Sequence, residues 1–313
     1  MFPKVSVFLP TYQHVPFIRD AIENVLVQDY PNLEIIVGDD GSTDGTREIV
    51  LEYQNRFPRL FRLILSEVNT GATENQNRVY AACTGEYIIF HSGDDLWLPG
   101  KLHKQVAWFD ANADAVLCYT NVEHFDSNSG RRIGLLHGKD HPFRSGGVEV
   151  VLAALTTFNG LTVMARRSAC PKRGYDSRLK YVSDWLFWVE TAKNGRIGFI
   201  PEVLARYRIH PNNLSKRAEV MISEQLLCLG IIEAQYADLI HLTRNLRTEV
   251  LLSAALRYLK VEKYELAKLY FHAGFIHGPF GVSYLPFAKK WLVYAMFLLN
   301  ELPLLLRLSR LRK

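Results

Sequence analysis

The chain has 313 residues, of which 48 % are apolar and 22 % charged, the balance of a folded globular protein long enough for one large domain and a smaller appendage. Four scattered cysteines (Cys83, Cys118, Cys170, Cys228) include no CxxC pair and no metal-ligand spacing, which argues against a disulfide framework and for a reducing cytoplasm. The net charge of +5 is carried entirely by Phe287–Lys313, where six basic residues face Glu301 alone, so the body of the protein offers no basic groove for nucleic acid.

MFPKVSVFLPTY passes directly into an apolar run with no h-region or cleavage site, and no secretory leader is expected. Lys4–Leu9 is β-branched and closed by Pro10, a buried strand. Phe17–Asp29 places Phe17, Ala21, Val25 and Leu26 on one helical face and stops at Tyr30-Pro31. Leu33–Val37 is a second strand, and Asp44 can cap a helix over Thr46–Asn55. Phe61–Leu65 is a third strand, Glu74–Cys83 a helix, and Tyr87–Phe90 a fourth strand. This alternation predicts an α/β fold, a parallel sheet covered on both faces. From Ala115 the pattern loosens into short strands at Ala115–Tyr119 and Leu161–Ala165, a helix over Ser183–Asn194, and strands at Ile197–Ile200 and Ala205–Ile209. After Leu214 only helices follow: Ala218–Ala237, Leu239–Leu259, Tyr264–Ile276 and Phe287–Leu299. A domain boundary is expected near Ser215, dividing residues 1–215 from an all-helical region, 216–313.

Three of the first four strands end in polar clusters, PTYQH, DDGSTD and SGDD, at the sheet edge where parallel α/β folds bind ligands. Asp39 and Asp40 either cap the turn they open or accept hydrogen bonds from a ligand such as a base imide or a ribose hydroxyl. Ser92-Gly93-Asp94-Asp95 supplies hard oxygen donors suited to Mg²⁺ or Mn²⁺ bridging to a diphosphate, and equally reads as the start of the helix near Lys101. Ser183 or Asp184 can cap the helix they begin.

Taken in order, VSVFLPTYQH, QDYPNLEIIVGDDGSTDGT, the NTG turn and GEYIIFHSGDDLWLPGKL resemble the family 2 glycosyltransferases of the GT-A fold over about residues 4–215. The resemblance implies a nucleotide-sugar-binding half over 1–115 and an acceptor half over 116–215. It implies that Pro10, Thr11 and Tyr12 hold the nucleotide and that Asp39 binds its base, usually uracil. Ser92, Gly93, Asp94 and Asp95 correspond to the DxD region, with Asp94 holding the metal and diphosphate and Asp95 facing the sugar or acceptor. Two departures stand out: the first acid of DxD is Ser92, and the frequent Ala-Arg-Asn is Asn75-Gln76-Asn77, which keeps Asn77 as a donor contact but lacks the cation. The Glu-Asp pair of the family falls on Ser183-Asp184, making Asp184 the general base of an inverting transfer, held ionised by its place at a helix start. Similar stretches in the family fold over the donor, so in RYRIHPNNLS Arg208 is expected on the diphosphate and His210 at the metal or the phosphate, or else as a structural histidine.

No GxGxxG follows the first strand and no GxxxxGK[ST] is present, which disfavours dinucleotide oxidoreductases and phosphate-loop NTPases. A nucleotidyltransferase would need a Gly-rich, Arg-containing opening loop. Processive synthases carry a QxxRW motif and several membrane spans, both absent, so a single sugar is expected to move from a UDP-sugar to a surface glycan or its lipid carrier. The competing class is a non-catalytic binding or scaffold protein with the same fold, suggested by Ser92 and Gln76. Leu251–Pro279 resembles one tetratricopeptide unit or a plain helical hairpin. The apolar stretch Trp291–Leu299, flanked by basic residues and interrupted at Pro303, is too short to span a bilayer; it is read as lying on the cytoplasmic face of an anionic membrane, with a homodimer interface as the alternative.

Overall fold

The computed structural model describes residues 2–139, 141–153, 158–211, 213 and 218–277. Residues 1–224 and 225–313 form two compact units; Ser215, the expected boundary, lies outside the described residues.

In the first unit, β1 (Val5–Thr11) is followed by α1 (Ile18–Leu26), β2 (Leu33–Asp39), α2 (Thr46–Arg56), β3 (Phe61–Leu65), α3 (Ala72–Ala82) and β4 (Tyr87–Phe90). The chain continues through β5 (Leu96–Trp97), α4 (Lys101–Asp110), β6 (Ala115–Asp126), β7 (Arg132–Leu135), β8 (Met164–Arg166), α5 (Ser183–Ala192) and β9 (Arg196–Ile209). The sheet order is β3-β2-β1-β4-β8-β6-β9-β5, with β7 beside β6. β1, β2, β3 and β4 are parallel, and β1 sits among them with Val5, Val7 and Leu9 fully buried, as a strand covered on both faces requires. The second half is mixed: β6 and β9 pair in parallel, but their neighbours do not. β8 runs antiparallel to both β4 and β6.

Three local readings change. The two strands expected at 197–200 and 205–209 are one long strand, β9, because register shifts against β6 at Thr120–Val122 absorb the irregularity around Pro201 without breaking the ladder. The first residues of the expected strand 161–165 are instead a 3₁₀ turn, Gly160–Thr162, stabilised by the Asn159 side chain accepting from Leu161 N. β5 and β7 are too short to show a hydrophobic period.

The words flanking the acidic cluster have structural work. Trp97 is buried and its indole N–H donates to Leu161 O (3.3 Å), while Lys101 N donates to Gln28 Oε1 (3.1 Å). Lys101 itself is fully buried, with Nζ donating to Thr162 O at 3.1 Å beside Gln105 Nε2 on the same carbonyl (3.0 Å). Burial pushes its ammonium down to about 7.

α6 (Ala218–Gln235) crosses from the first unit into the second, which continues with α7 (Ile240–Lys260) and α8 (Tyr264–His277). Leu252, Ala255 and Phe271 form the second unit's small core, with Tyr258 and Tyr270 stacked at 5.3 Å. Glu233 accepts from Thr243 Oγ1 and Arg247 Nη2 at 2.9 and 2.7 Å. The expected tail helix at Phe287–Leu299 lies outside the described residues, and no helix of the described residues is long and apolar enough to cross a membrane.

Candidate active site

Register places the first two polar clusters side by side: Thr11 pairs with Asp39 across β1 and β2. The two neighbouring acids then diverge. Asp40 accepts from Thr70 N, Thr70 Oγ1, Gly71 N and Arg78 Nη2 at 2.7–3.1 Å, so it fastens the β3–α3 loop to the sheet edge. Asp39 is fully buried, and its Oδ2 accepts from Arg47 Nε (3.0 Å) and Ser42 N (3.2 Å). Its Oδ1 is buried with no hydrogen-bond partner among the described residues. A buried polar atom left unpaired costs about 1–3 kcal/mol, more when charged, and here it stands at the carboxyl edge of a parallel sheet. Pro10 is half-buried and Tyr12 exposed at the rim of this edge.

The third cluster packs against the first. His91 N donates to Phe8 O, and a Cβ on Gly93 would lie 2.4 Å from His14 Nδ1 and 2.6 Å from Thr11 Oγ1; only glycine lets the turn approach so closely. Ser92 Oγ bonds Asp94 Oδ1 and lies 3.0 Å from Asp95 Oδ2. Asp94 Oδ2 meets His210 Nε2 at 3.0 Å. Burial works to raise Asp94, but the bonds from His210 and Ser92 and the nearby His14 overcome it and hold the carboxyl down at about 2. Burial and the Asp94 charge drive Asp95 the other way, well above the usual carboxylate range. The two carboxyls are therefore pushed in opposite directions, with the Ser92 hydroxyl within hydrogen-bond reach of both.

β9 delivers the lid of this cluster. Arg208 N donates to Asp95 Oδ1 (2.8 Å) and Arg208 Nε to Asp94 O (2.7 Å), while its guanidinium sits between the Phe17 and Phe125 rings. Arg208 and His210 thus lie over the acidic turn, with Arg208 Nη2 3.5 Å from Asp20. Asn77 goes elsewhere: its amide donates to Tyr175 O (3.0 Å) and accepts from Tyr175 N (2.7 Å), so the side chain braces that turn.

On the acceptor side, Asp184 is half-buried in the first turn of α5. Burial pushes its carboxyl up to about 6, against the opposing backbone N–H of Trp185 and its own. The helix start was expected to favour the ionised form; desolvation outweighs it. Ser183 is not the cap either, since Val182 occupies that position without a side-chain bond and Ser183 Oγ turns to Gln76 Oε1 (3.2 Å) and Thr73 Oγ1 (3.1 Å) on α3. α3 links the clusters, because Asn75 Nδ2 also donates to Gly38 O (2.8 Å) and Thr11 O (3.4 Å).

Sequence reasoning passed over four of these residues. His14 reaches the acidic turn only because the β1–α1 loop folds back. Arg47 lies one turn into α2. Arg78, one residue beyond the triplet, places a guanidinium on Asp40. Glu224, buried on α6 and distant in the chain, accepts from Lys180 N, Tyr181 N and Val182 N just before α5. No group of three His, Cys, Asp or Glu side chains is gathered as a metal cluster among the described residues. The Asp94 carboxylate fits an ion bound through one or two carboxylates that takes its remaining ligands from a diphosphate and water, as Mg²⁺ does, while the neighbouring imidazole is a donor better suited to softer metals.

The parallel half-sheet thus presents acids at two of its strand ends, and the mixed half carries a third. The profile of the family described as Glycosyl transferase family 2 matches residues 6–173, and the chain belongs to that family. An uncharacterised protein of Mycobacterium tuberculosis is 32 % identical over 67 % of this chain, and the chain spans 60 % of that relative's length. EpsE of Bacillus subtilis, classed as a glycosyltransferase, is 30 % identical over 69 % of this chain and 77 % of its own. The solved 1–349 fragment of Staphylococcus aureus TarS in complex with UDP-GlcNAc superposes with a TM-score of 0.67 at 16 % identity, covering 95 % of this chain and 92 % of that one. A Pyrobaculum calidifontis mannosyltransferase in complex with GDP-Man and Mn²⁺ gives 0.62 at 18 % identity, over 99 % and 84 %. The fold is GT-A.

Proposed function

We propose that the protein is an inverting glycosyltransferase that moves one sugar from a nucleotide-diphosphate sugar to a hydroxyl of a surface-glycan or lipid-linked acceptor. The observation that carries the reading is the unpaired, buried Oδ1 of Asp39 beside Thr11. Paired with the Arg47 guanidinium, Asp39 acts as an acceptor-only group. It therefore selects bases that present a ring N–H, uracil or guanine, over adenine and cytosine, whose corresponding ring nitrogens accept. The UDP-GlcNAc and GDP-Man bound by the two structural relatives are of this class, and UDP-sugars are the preferred donor.

Asp94 and His210 would hold a divalent ion, Mg²⁺ or Mn²⁺, whose chemistry is to neutralise the leaving diphosphate. Asp184 takes the proton from the acceptor hydroxyl as its oxygen bonds the anomeric carbon, and the bond from that carbon to the diphosphate breaks in the same displacement. The raised carboxyl of Asp184 supports this role, since a base near 6 is ionised at neutral pH yet basic enough to receive the proton. The basic, apolar sequence of residues 287–313 supports a site of action at the cytoplasmic membrane surface.

Thermal denaturation with UDP, GDP, CDP and ADP, each with and without Mn²⁺, tests the reading. A ligand that binds only the folded state raises the melting point, and UDP or GDP should do so far more than CDP or ADP. Equal shifts from all four would refute Asp39 as the base-reading group. Hydrolysis of the stabilising sugar nucleotide separates an enzyme from a binding protein.

A further inference from the structure

We propose that Glu224, on α6 and beyond the span matched by the family profile, is the positioning residue that holds Asp184 in its working geometry; the inference rests on Asp184 being the base. Residues 180–182, just before α5, turn three consecutive backbone N–H groups towards one side chain. Glu224 Oε2 accepts from Lys180 N (3.0 Å), Tyr181 N (2.7 Å) and Val182 N (3.2 Å), and Oε1 lies 3.0 Å from Lys180 N as well. The carboxylate is buried, so these are charge-assisted bonds in a dry setting, the strong kind.

α5 has no side-chain cap of its own. Glu224 takes the N–H groups that precede the helix, which leaves those of Asp184 and Trp185 to the Asp184 carboxyl. The opposite side of the same segment is fixed by α3, where Thr73 Oγ1 donates to Leu179 O (2.6 Å) and Ser183 Oγ to Gln76 Oε1 (3.2 Å). Residues 179–183 are therefore clamped between two elements from distant parts of the chain, and Asp184 is the next residue. Glu224 also follows, within the same stretch of chain, the Arg208 and His210 that sit on the acidic turn. One segment thus holds both the diphosphate-side carboxyl and the backbone that aims the base.

The test compares full-length Glu224→Ala, Glu224→Gln and Asp184→Asn with the parent, using hydrolysis of whichever of UDP-GlcNAc, UDP-glucose, UDP-galactose or GDP-mannose turns over fastest, and the matching nucleoside diphosphate for affinity. Glu224→Ala should lose on the order of 10²-fold in kcat, the scale of an ångström of misplacement, with nucleotide affinity unchanged. Glu224→Gln retains one acceptor oxygen in the right place and should recover most of that loss, while the acid limb of its kcat profile moves below the parent's as the loosened turn admits water to Asp184. Parent-like kcat in folded Glu224→Ala overturns the inference, and so does a parallel loss of affinity and turnover, which marks a merely structural role. Where Glu224→Ala does not fold, an unshifted acid limb in Glu224→Gln overturns it. Full turnover in Asp184→Asn sinks the base assignment instead, in an arm that leaves Glu224 untouched.

Discussion

Asp184→Asn exchanges a carboxylate for an amide of the same shape in the first turn of α5, where neither Ser183 nor Glu224 depends on its charge for its bonds. Burial moves the Asp184 carboxyl from 3.8 to about 6, which corresponds to about 3 kcal/mol of preference for the neutral form. The helix N-terminus opposes with roughly 0.3–1 kcal/mol, so desolvation wins and the group titrates inside the working range. At pH 7 about nine in ten copies are ionised and at pH 5 about one in ten. The turnover number should therefore fall about tenfold between pH 7.5 and pH 5 with a midpoint near 6, the base being lost as pH drops. In Asp184→Asn turnover should drop by roughly 10²–10⁴-fold and its residual should lose that limb, while nucleotide affinity holds. Steady-state sugar-nucleotide hydrolysis across pH 4.5–8.5, with affinity measured by calorimetry, reads both quantities. An acid limb near 6 that persists in the Asn variant would refute the assignment.

Asp39→Asn should weaken nucleotide binding by about 1.5–3 kcal/mol, the value of a hydrogen bond to a charged group, and lower the melting point, because Arg47 loses the partner of a buried pair; unchanged UDP affinity would count against base recognition there. Lys101 gives a prediction independent of the site. Its folded pKa of about 7 lies below the 10.5 of the free side chain, so the unfolded chain binds the extra proton between those values and folding gains from rising pH across that window. The cost of the buried ammonium is fully present below about pH 7 and has an upper limit of about 5 kcal/mol. Lys101→Met should remove the stability rise between pH 7 and 10, with Gln105 still satisfying Thr162 O; identical pH slopes in urea denaturation of the two proteins would contradict it.

The first half of the sheet was legible because β1, β2 and β4 are short, largely apolar runs that are mostly buried, and β3, though an edge strand and only partly buried, is still four-fifths apolar. The acids at their ends were legible for the same reason: a parallel sheet puts successive strand ends on one edge, and the order of the runs along the chain already places Asp39 and Asp94 there. The α7–α8 hairpin, too, followed from the spacing of Ala255, Tyr258, Ala267 and Phe271, all buried in the structure.

What each acid does at that edge was decided only by the folded chain. Asp39 and Asp40 are adjacent and chemically identical, yet one spends its carboxylate on Thr70, Gly71 and Arg78 while the other keeps an oxygen unpaired. Asp94 and Asp95 are pushed in opposite directions because His210 reaches the first, whereas burial and the Asp94 charge outweigh Arg208 at the second. Those partners, with Glu224 on the turn before Asp184, come from residues 30 to 116 positions away or from loops without periodicity. Hydrophobic pattern is a local property of a sequence, whereas hydrogen-bond partners, desolvation and charge state arise from groups that only folding brings within a few ångströms.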